Sequence, residues 1–249
     1  SCISMKYCGE HLDIHCGGVD NAFPHHTNEI AQSEAYLGHP WCNYWMHVAH
    51  LDTAGGKMSK SKGGFTTVSA LEERGYDPLV YRLFCLQSHY RKALVFSWEN
   101  LDNAKAAYDK LVSRVAALTE AGAVDAQAAA QYEAAFREAV GNDLNTSLGV
   151  TALYDVLKAD LNDATKRALI ASYDQVLGLE LLERAAARKE QQAQAASGEG
   201  AAEIEALIAR RSEAKRAKDW GKADAIRDQL KAMGVEIKDT PNGVEWKRI

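Results

Sequence analysis

Apolar positions recur through the middle of the chain with the period of an α-helix. Leu101, Ala104, Tyr108, Leu111, Val115 and Leu118 fall at alternating steps of three and four, so one long helix with a single buried stripe is expected there. Tyr132, Phe136 and Ala139-Val140 mark a second helix, Leu148, Ala152 and Val156 a third, and Leu169, Tyr173, Val176 and Leu177 a fourth. Asn145-Thr146 offers cap chemistry before the third, and Gly178 offers a stop for the fourth. The helical run is entered at Asp77-Pro78, after which Leu79, Tyr81, Leu83, Phe84 and Leu86 sit at helix spacing. Residues 79–184 are therefore read as a helix bundle.

The flanks follow other patterns. In residues 1–78 short apolar runs alternate with glycine turns: His11 to His15 reads as a short strand, Cys16-Gly17-Gly18 as a sharp turn, and Pro24 as an early helical residue of a run through Glu34. Strand, glycine turn and helix are the units of an α/β layer. Trp41 to Val48 reads as a second buried strand or strand–helix edge. Residues 185–200 carry no large apolar side chain and are read as a mobile linker with helical character at its start. Residues 201–249 then form a small domain. Ile204, Leu207, Ile208 and Arg211 begin one helix, and Ala223, Ile226, Leu230 and Met233 line another that stops at Gly234. Alternation on both sides of Pro241-Asn242-Gly243 predicts a closing β-hairpin.

Composition narrows the function classes. With 249 residues and 47% hydrophobic content the chain can bury sizeable cores, and no run of eighteen apolar residues offers a membrane span. No charged-then-apolar leader opens it, so cytoplasmic residence is expected. Its five cysteines, Cys2, Cys8, Cys16, Cys42 and Cys85, are odd in number and confined to the first third, a pattern of thiols or metal ligands and not of a disulfide framework. The net charge of -5 argues against a uniformly basic nucleic-acid binder. From residue 201 onward 11 Lys and Arg face 9 Asp and Glu, so the tail alone is mildly basic.

Four groups of residues carry candidate chemistry. Lys57-Met58-Ser59-Lys60-Ser61, framed by Gly55-Gly56 and Gly63-Gly64, puts two ammonium groups on a glycine-hinged loop suited to gripping and releasing a polyphosphate. His25 and Glu29, four apart, share a helix face; with the thiolate of Cys2 they form a donor set suited to zinc, with His26 as a competing ligand. Cys16-Gly17-Gly18-Val19-Asp20 follows a strand, where α/β sheets bind ligands, although a plain tight turn reads the same way. In the tail, Lys215-Arg216, Lys218, Trp220 and Asp224 combine cations, a stacking surface and a carboxylate, the mixture that reads single-stranded RNA. Trp220 could equally be core. Arg211 and Arg227 are candidate phosphate contacts.

The lysine loop carries the KMSKS signature of class I aminoacyl-tRNA synthetases. Together with Ser1 to Met5, Leu12 to Asp20, Phe23 to Ser33, Ser88-His89-Tyr90-Arg91, Asp143-Leu144-Asn145-Thr146 and Ala217 to Asp224, it makes the whole chain resemble the cysteinyl-tRNA synthetases. The resemblance implies an α/β plus all-α fold: the C-terminal part of a Rossmann-like catalytic domain over residues 1–78, a tRNA-binding helical bundle, and a small anticodon-binding domain over residues 201–249. It implies zinc on Cys2, His25 and Glu29, with a further cysteine ligand preceding residue 1, and a selective role for the metal, since ordinary contacts separate cysteine from serine poorly. It further implies ATP at Gly17, Gly18, Asp20 and Lys60, with His15 either touching the adenylate or packing. Lys57 and Lys60, with Mg2+, would neutralise the departing pyrophosphate, and Lys215, Arg216, Trp220 and Asp224 would read the anticodon. Cys16 stands where the family commonly has a third glycine.

The implied reaction is ATP-dependent activation of L-cysteine and its transfer to the 3′ end of tRNA-Cys. The class I His-Ile-Gly-His-like element is absent from the sequence, so the missing N-terminal half of the same enzyme is an expected partner, and the chain alone is expected to make no adenylate. Two other readings compete: a cysteine:amino-sugar ligase of the same fold, from which residues 201–249 discriminate, and a tRNA-binding fragment without catalysis.

Overall fold

The periodic stripe at 101–118 forms one helix because its apolar side chains reach a common face, and because Ser97 caps its start by accepting from the Asn100 amide at 3.1 Å. The computed structural model describes residues 1–53, 56–57, 67–197, 201–217, 219–240 and 243–248. They fall into two compact units, Ser1–Leu182 and Glu183–Ile249.

The first unit opens with helix α1 (Cys2–Cys8), followed by strand β1 (Leu12–Gly18). A short 3-10 turn (Val19–Asn21) and a wide turn (Ala22–His26) lead into α2 (Thr27–Leu37), and β2 (Cys42–Val48) then pairs parallel to β1. Parallel pairing needs such a crossover, and the helix supplies it. The helix begins later than the sequence suggests: Phe23 has extended angles (φ -141°, ψ 134°), so Pro24 belongs to the wide turn and regular α-helix starts at Thr27. Strand β3 (Leu51–Thr53) pairs antiparallel with β4 (Gly56–Lys57) and parallel with β5 (Leu94–Phe96). Between them lie α3 (Val68–Glu73) and α4 (Pro78–Leu86), the latter with Pro at its first position and Asp77 as its cap.

Helices α5 (Trp98–Ala116), α6 (Ala126–Gly141), α7 (Thr146–Lys158) and α8 (Asp163–Leu177) form the bundle. The α5 stripe is buried throughout, from Leu101 to Val115, with Leu118 buried just beyond the helix end. Phe136 of α6 stacks on Tyr173 of α8 with ring centroids 4.0 Å apart, and the Tyr173 hydroxyl donates to the Tyr132 carbonyl at 2.6 Å. In α7 the buried face is Val150, Leu153, Val156 and Leu157; of the stripe read in the sequence Val156 is buried, Ala152 is half-buried and Leu148 is exposed. In α8 the stripe read in the sequence is buried at Leu169, Tyr173 and Leu177, with Ile170 beside them, and only Val176 is exposed. Gly178 ends α8 with φ 61°, and Arg82 of α4 donates to the Leu177 carbonyl, placing a cation on the helix C-terminus.

A second junction ties the segment after α4 to the turn before α7. Asp143 and Leu144 both adopt left-handed angles, φ 56° and 53°. The Asp143 carboxylate accepts from Arg91 Nε at 2.5 Å, from Arg91 Nη2 at 3.1 Å and from the Tyr90 hydroxyl at 2.6 Å. These bonds hold two residues in a conformation that costs non-glycine side chains on the order of 1–3 kcal/mol each.

Helix α9 (Leu181–Ser197) occupies most of the stretch read as a linker, since Ala, Gln, Glu, Lys and Arg are strong helix formers. The remainder of the second unit pairs α10 (Ala201–Arg216) with α11 (Trp220–Ala232) and closes with the hairpin β6 (Val235–Thr240) and β7 (Gly243–Arg248). Its core is Ile204, Leu207, Ile226, Leu230 and Val235, with Ile208, Ile237 and Trp246 packed against it. Among the described residues no helix is long and apolar enough to cross a membrane.

Two measurements check this packing. Leu153→Ala should lower stability by about 2–5 kcal/mol in denaturant unfolding, and Leu148→Ala should change it by no more than about 0.5 kcal/mol; the reverse order would restore the sequence stripe. The Arg91 hydrogen bond, then the Tyr90 hydroxyl, holds the Asp143 carboxyl at about 2, below its ordinary value. A depressed carboxyl stabilises the fold above its unfolded pKa, so this contribution is present at pH 5 and lost as the pH falls toward 2. Carboxyl NMR should give that low midpoint, and Arg91→Ala should raise it toward the ordinary value.

Candidate functional site

The parallel register brings one set of side chains together. His15 lies opposite Trp45 and Gly17 opposite His47, so alternate residues of both strands point to the α2 side of the sheet. Trp41, fully buried, and Trp45 place their rings 5.4 and 4.9 Å from the His15 ring. His26, buried at the end of the wide turn, stands 4.7 Å from the His15 ring, and its Nδ1 is 2.9 Å from His47 Nε2.

Glu29 is the hub of this nest. Its side chain is only 15% exposed; Oε2 lies 2.9 Å from His15 Nε2 and 3.8 Å from His25 Nε2, and Oε1 is 3.4 Å from Ser1 Oγ. Burial opposes the charge on Glu29, while the hydrogen bond and charge of His15 favour it, and the carboxyl stands below its ordinary value. For His26, burial and then the neighbouring His15 and His47 lower the imidazole pKa. Glu29 is thus a carboxylate, and His26 a neutral ring.

The three sequence-derived metal ligands are placed as follows. His25 sits one turn before Glu29 with its ring largely exposed, and Cys2, exposed at the start of α1, follows the residue that touches Glu29. His15, His26 and Glu29 also offer ligand atoms within 4.8 Å of one another. Thiolate, imidazole and carboxylate are donors that zinc accepts, and carboxylate ligands are themselves held by hydrogen bonds, the position His15 takes on Glu29. Among the described residues the ligand atoms that come together are those of His15, His26 and Glu29, imidazoles and a carboxylate that fit such an ion; of the expected set this group holds Glu29, with His25 3.8 Å from it, and not Cys2.

The loop after β1 packs tightly. A Cβ on Gly17 would stand 2.7 Å from His26 Cε1 and 2.8 Å from Asn21 Nδ2, so the missing side chain is what lets the imidazole lie on the strand. A Cβ on Gly18 would meet the Asp20 carboxylate, which folds back over it and comes within 3.7 Å of His50 Nε2. His50 also lines a cavity of about 330 Å3, walled by Val48, Leu51, Tyr81, Cys85, His89 and Leu144 among others. Lys57 pairs its backbone with Asp52 in β4, whereas Met58 to Ser61, with Lys60, lie outside the described residues.

In the second unit, Trp220 opens α11 with 60% of its surface exposed, and Asp224 is exposed one turn later. Trp246 takes the core position instead. Lys215 and Arg216 close α10, Lys215 half-buried and Arg216 exposed, and Lys218 lies outside the described residues. Arg227 is exposed, but Arg211 is only 5% exposed, which removes it from the candidate phosphate contacts. The structure also adds residues that the sequence did not assign to the site, Trp41, Trp45 and His47. Trp45 and His47 stand two apart on β2, with Trp41 just before the strand, a signal usable only once β2 was known to pair with β1 in this register.

Comparison with known proteins accounts for both ends of the chain. Residues 1–106 match the family model "tRNA synthetases class I (C) catalytic domain", and residues 197–246 match "Cysteinyl-tRNA ligase anticodon binding domain". A cysteine–tRNA ligase of Symbiobacterium thermophilum is 43% identical over 261 residues, covering 100% of this chain and 55% of the relative. Cysteine–tRNA ligase 1 of Burkholderia lata is 41% identical over 244 residues, covering 98% and 49%, and that of Halorhodospira halophila is 41% identical, covering 100% and 54%. The chain spans about half the length of the curated relatives it matches. With a catalytic-domain match at one end, an anticodon-domain match at the other and relatives above 40% identity across its length, the chain belongs to the cysteine–tRNA ligase family.

Proposed function

We propose that this chain supplies the amino-acid-selecting, phosphate-gripping and tRNA-reading parts of an enzyme that activates L-cysteine with ATP and attaches it to tRNA-Cys. The observation that carries this reading is the pair of family matches at residues 1–106 and 197–246, one to the catalytic and one to the anticodon-binding domain of the same ligase.

Cys2, His25 and Glu29 are the proposed zinc ligands, with the charged Glu29 at the centre and its Oε2 bonded to His15. Bound there, zinc would supply an acceptor that takes a thiolate and gains little from a serine hydroxyl. The indoles of Trp41 and Trp45 exclude water from the same side of the sheet. Asp20 is the proposed partner of the ribose hydroxyls, and the neighbouring cavity at His50 has the size of a small-molecule pocket. In-line attack of a carboxylate on a phosphorus needs positioning and charge neutralisation more than a protein nucleophile. Lys57 and Lys60, together with Mg2+, are proposed to neutralise the leaving pyrophosphate. Trp220, exposed and free of the core, is proposed to stack on an anticodon base, with Asp224 accepting from a base edge and Lys215 and Arg216 holding phosphates.

Three readouts test these assignments separately. In an enzyme holding this chain, Lys60→Ala should slow adenylate formation at least 100-fold while changing cysteine affinity less than threefold; equal losses would refute the lysine assignment. Metal analysis should give one zinc per chain, lost in Glu29→Gln. Trp220→Ala should weaken tRNA binding about ten-fold, the value of one stacked base, with zinc content unchanged.

A further inference from the structure

Two adjacent residues at the entrance of α7, Asp143 and Leu144, hold left-handed angles although neither is glycine. Strain of this kind persists where the surrounding structure imposes it, and it gathers at functional sites. The bonds that impose it here lie at the surface, with the side chains of Asp143 and Arg91 43% and 61% exposed, and exposed ion pairs add little to stability. The pair's other contacts show what it holds in place. His89 Nε2 stands 3.8 Å from the Asp143 carboxylate that Arg91 and Tyr90 also bind, the His89 and Tyr90 rings stack at 4.9 Å, and the Arg91 amide donates to His89 Nδ1 at 3.2 Å. Residues 89–91 are thus one block seated on Asp143. The backbone of that block carries the turn between β2 and β3: the Ala49 amide donates to the Tyr90 carbonyl at 2.9 Å, and the Leu94 amide donates to the His50 carbonyl at 3.1 Å. From this turn the His50 ring reaches the loop after β1, with Nε2 3.7 Å from Asp20 Oδ1. A Cβ on Gly18 would stand 2.4 Å from the same oxygen and 3.6 Å from His50 Cε1, so the Asp20 carboxylate and the His50 ring share the space that this glycine leaves.

We infer that Asp143 is a positioning residue for the nucleotide side of the site: by fixing Tyr90 and Arg91 it sets the turn at residues 49–50, and that turn places His50 against Asp20. The inference rests on the reading of Asp20 as the partner of the ribose hydroxyls. Asp143 itself touches no substrate, and acts through the block and the turn. Its carboxylate is needed because Oδ1 accepts from the Tyr90 hydroxyl and Arg91 Nη2 while Oδ2 accepts from Arg91 Nε. Asparagine tolerates the left-handed angle, but its amide sets an N–H donor against one of these donors. Asp143→Asn therefore loosens the clamp and spares the backbone turn.

Two measurements test it. In the 249-residue chain, Asp143→Asn should quicken hydrogen exchange at the Ala49 and Leu94 amides about ten-fold, with the Leu111 amide inside α5 unchanged. In an enzyme holding this chain, ATP–pyrophosphate exchange should show the KM for ATP raised about ten-fold in Asp143→Asn and in His50→Gln, with kcat and the KM for cysteine within about threefold of the parent. The double variant should be no worse than either single one, because both act on the same placement. Glu120→Gln, which breaks the surface pair of Glu120 with Arg167 elsewhere in the bundle, should leave the KM for ATP unchanged. Unaltered exchange at Ala49, a fall in kcat equal to the rise in KM, or effects of the two variants that multiply would each overturn the inference. A parent enzyme without ATP–pyrophosphate exchange would remove the proposed activity and this inference together, whereas an active parent with an unchanged KM in Asp143→Asn would remove the inference alone.

Discussion

The register of β1 on β2 is the constraint on which the site depends. With a side-chain period of two, pairing His15 with Trp45 and Gly17 with His47 sends imidazoles and indoles to one face and Ile14 and Tyr44 to the other. A slip of one residue would exchange the two sets. The polar face then needs internal compensation, since a mostly buried carboxylate is costly unless it is bonded, and Glu29 finds partners on β1, on the turn before α2 and at the start of α1. A single charged side chain thereby joins three segments, and the same charge is the one that a cation would meet.

The lysine loop depends on a longer chain of contacts. Lys57 pairs with β3, β3 with β5, and the segment just before β5 is fixed by Arg91 and Tyr90 to Asp143 at the entrance of α7. Helix α4 lies between these points, anchored by Arg82 to the end of α8 and by its Leu86 carbonyl to the Thr146 hydroxyl. The bundle is therefore bonded to the strand that leads into the loop at its ends, through charged groups and caps, while its interior is conventional apolar packing.

Much of this was legible in the sequence, and the misses share a cause. The stripe from Leu101 to Val115, the Asp77-Pro78 and Asn145 helix starts, the Gly178 stop and the hairpin around residues 241–242 are local signals, set by side chains within a few positions of each other. The exposure of Leu148 in α7 was not, because Leu148 and Leu153 are equally apolar and only the packing partner decides which turns inward. The linker reading of 185–200 allowed helical character only at its start, whereas the helix runs to Ser197 because Ala, Glu and Arg also favour a helix. Within the site, His25 and Glu29 were readable from helical spacing, whereas the His26–His47 contact joins residues 21 apart and needs the fold. The burial of Arg211 likewise follows from how α10 meets its neighbours, which charge alone does not report.

The division of labour between the two tryptophans of the second unit has an evolutionary consequence. Trp246 packs against the core, while Trp220 and Asp224 stand on the solvent side of a helix whose inner face is Ala223, Ile226 and Leu230. The exposed and the buried residues of the same helix are thus separable. Substitutions on the outer face can change the surface the unit presents at little cost to its stability, so that surface can vary without the unit being rebuilt.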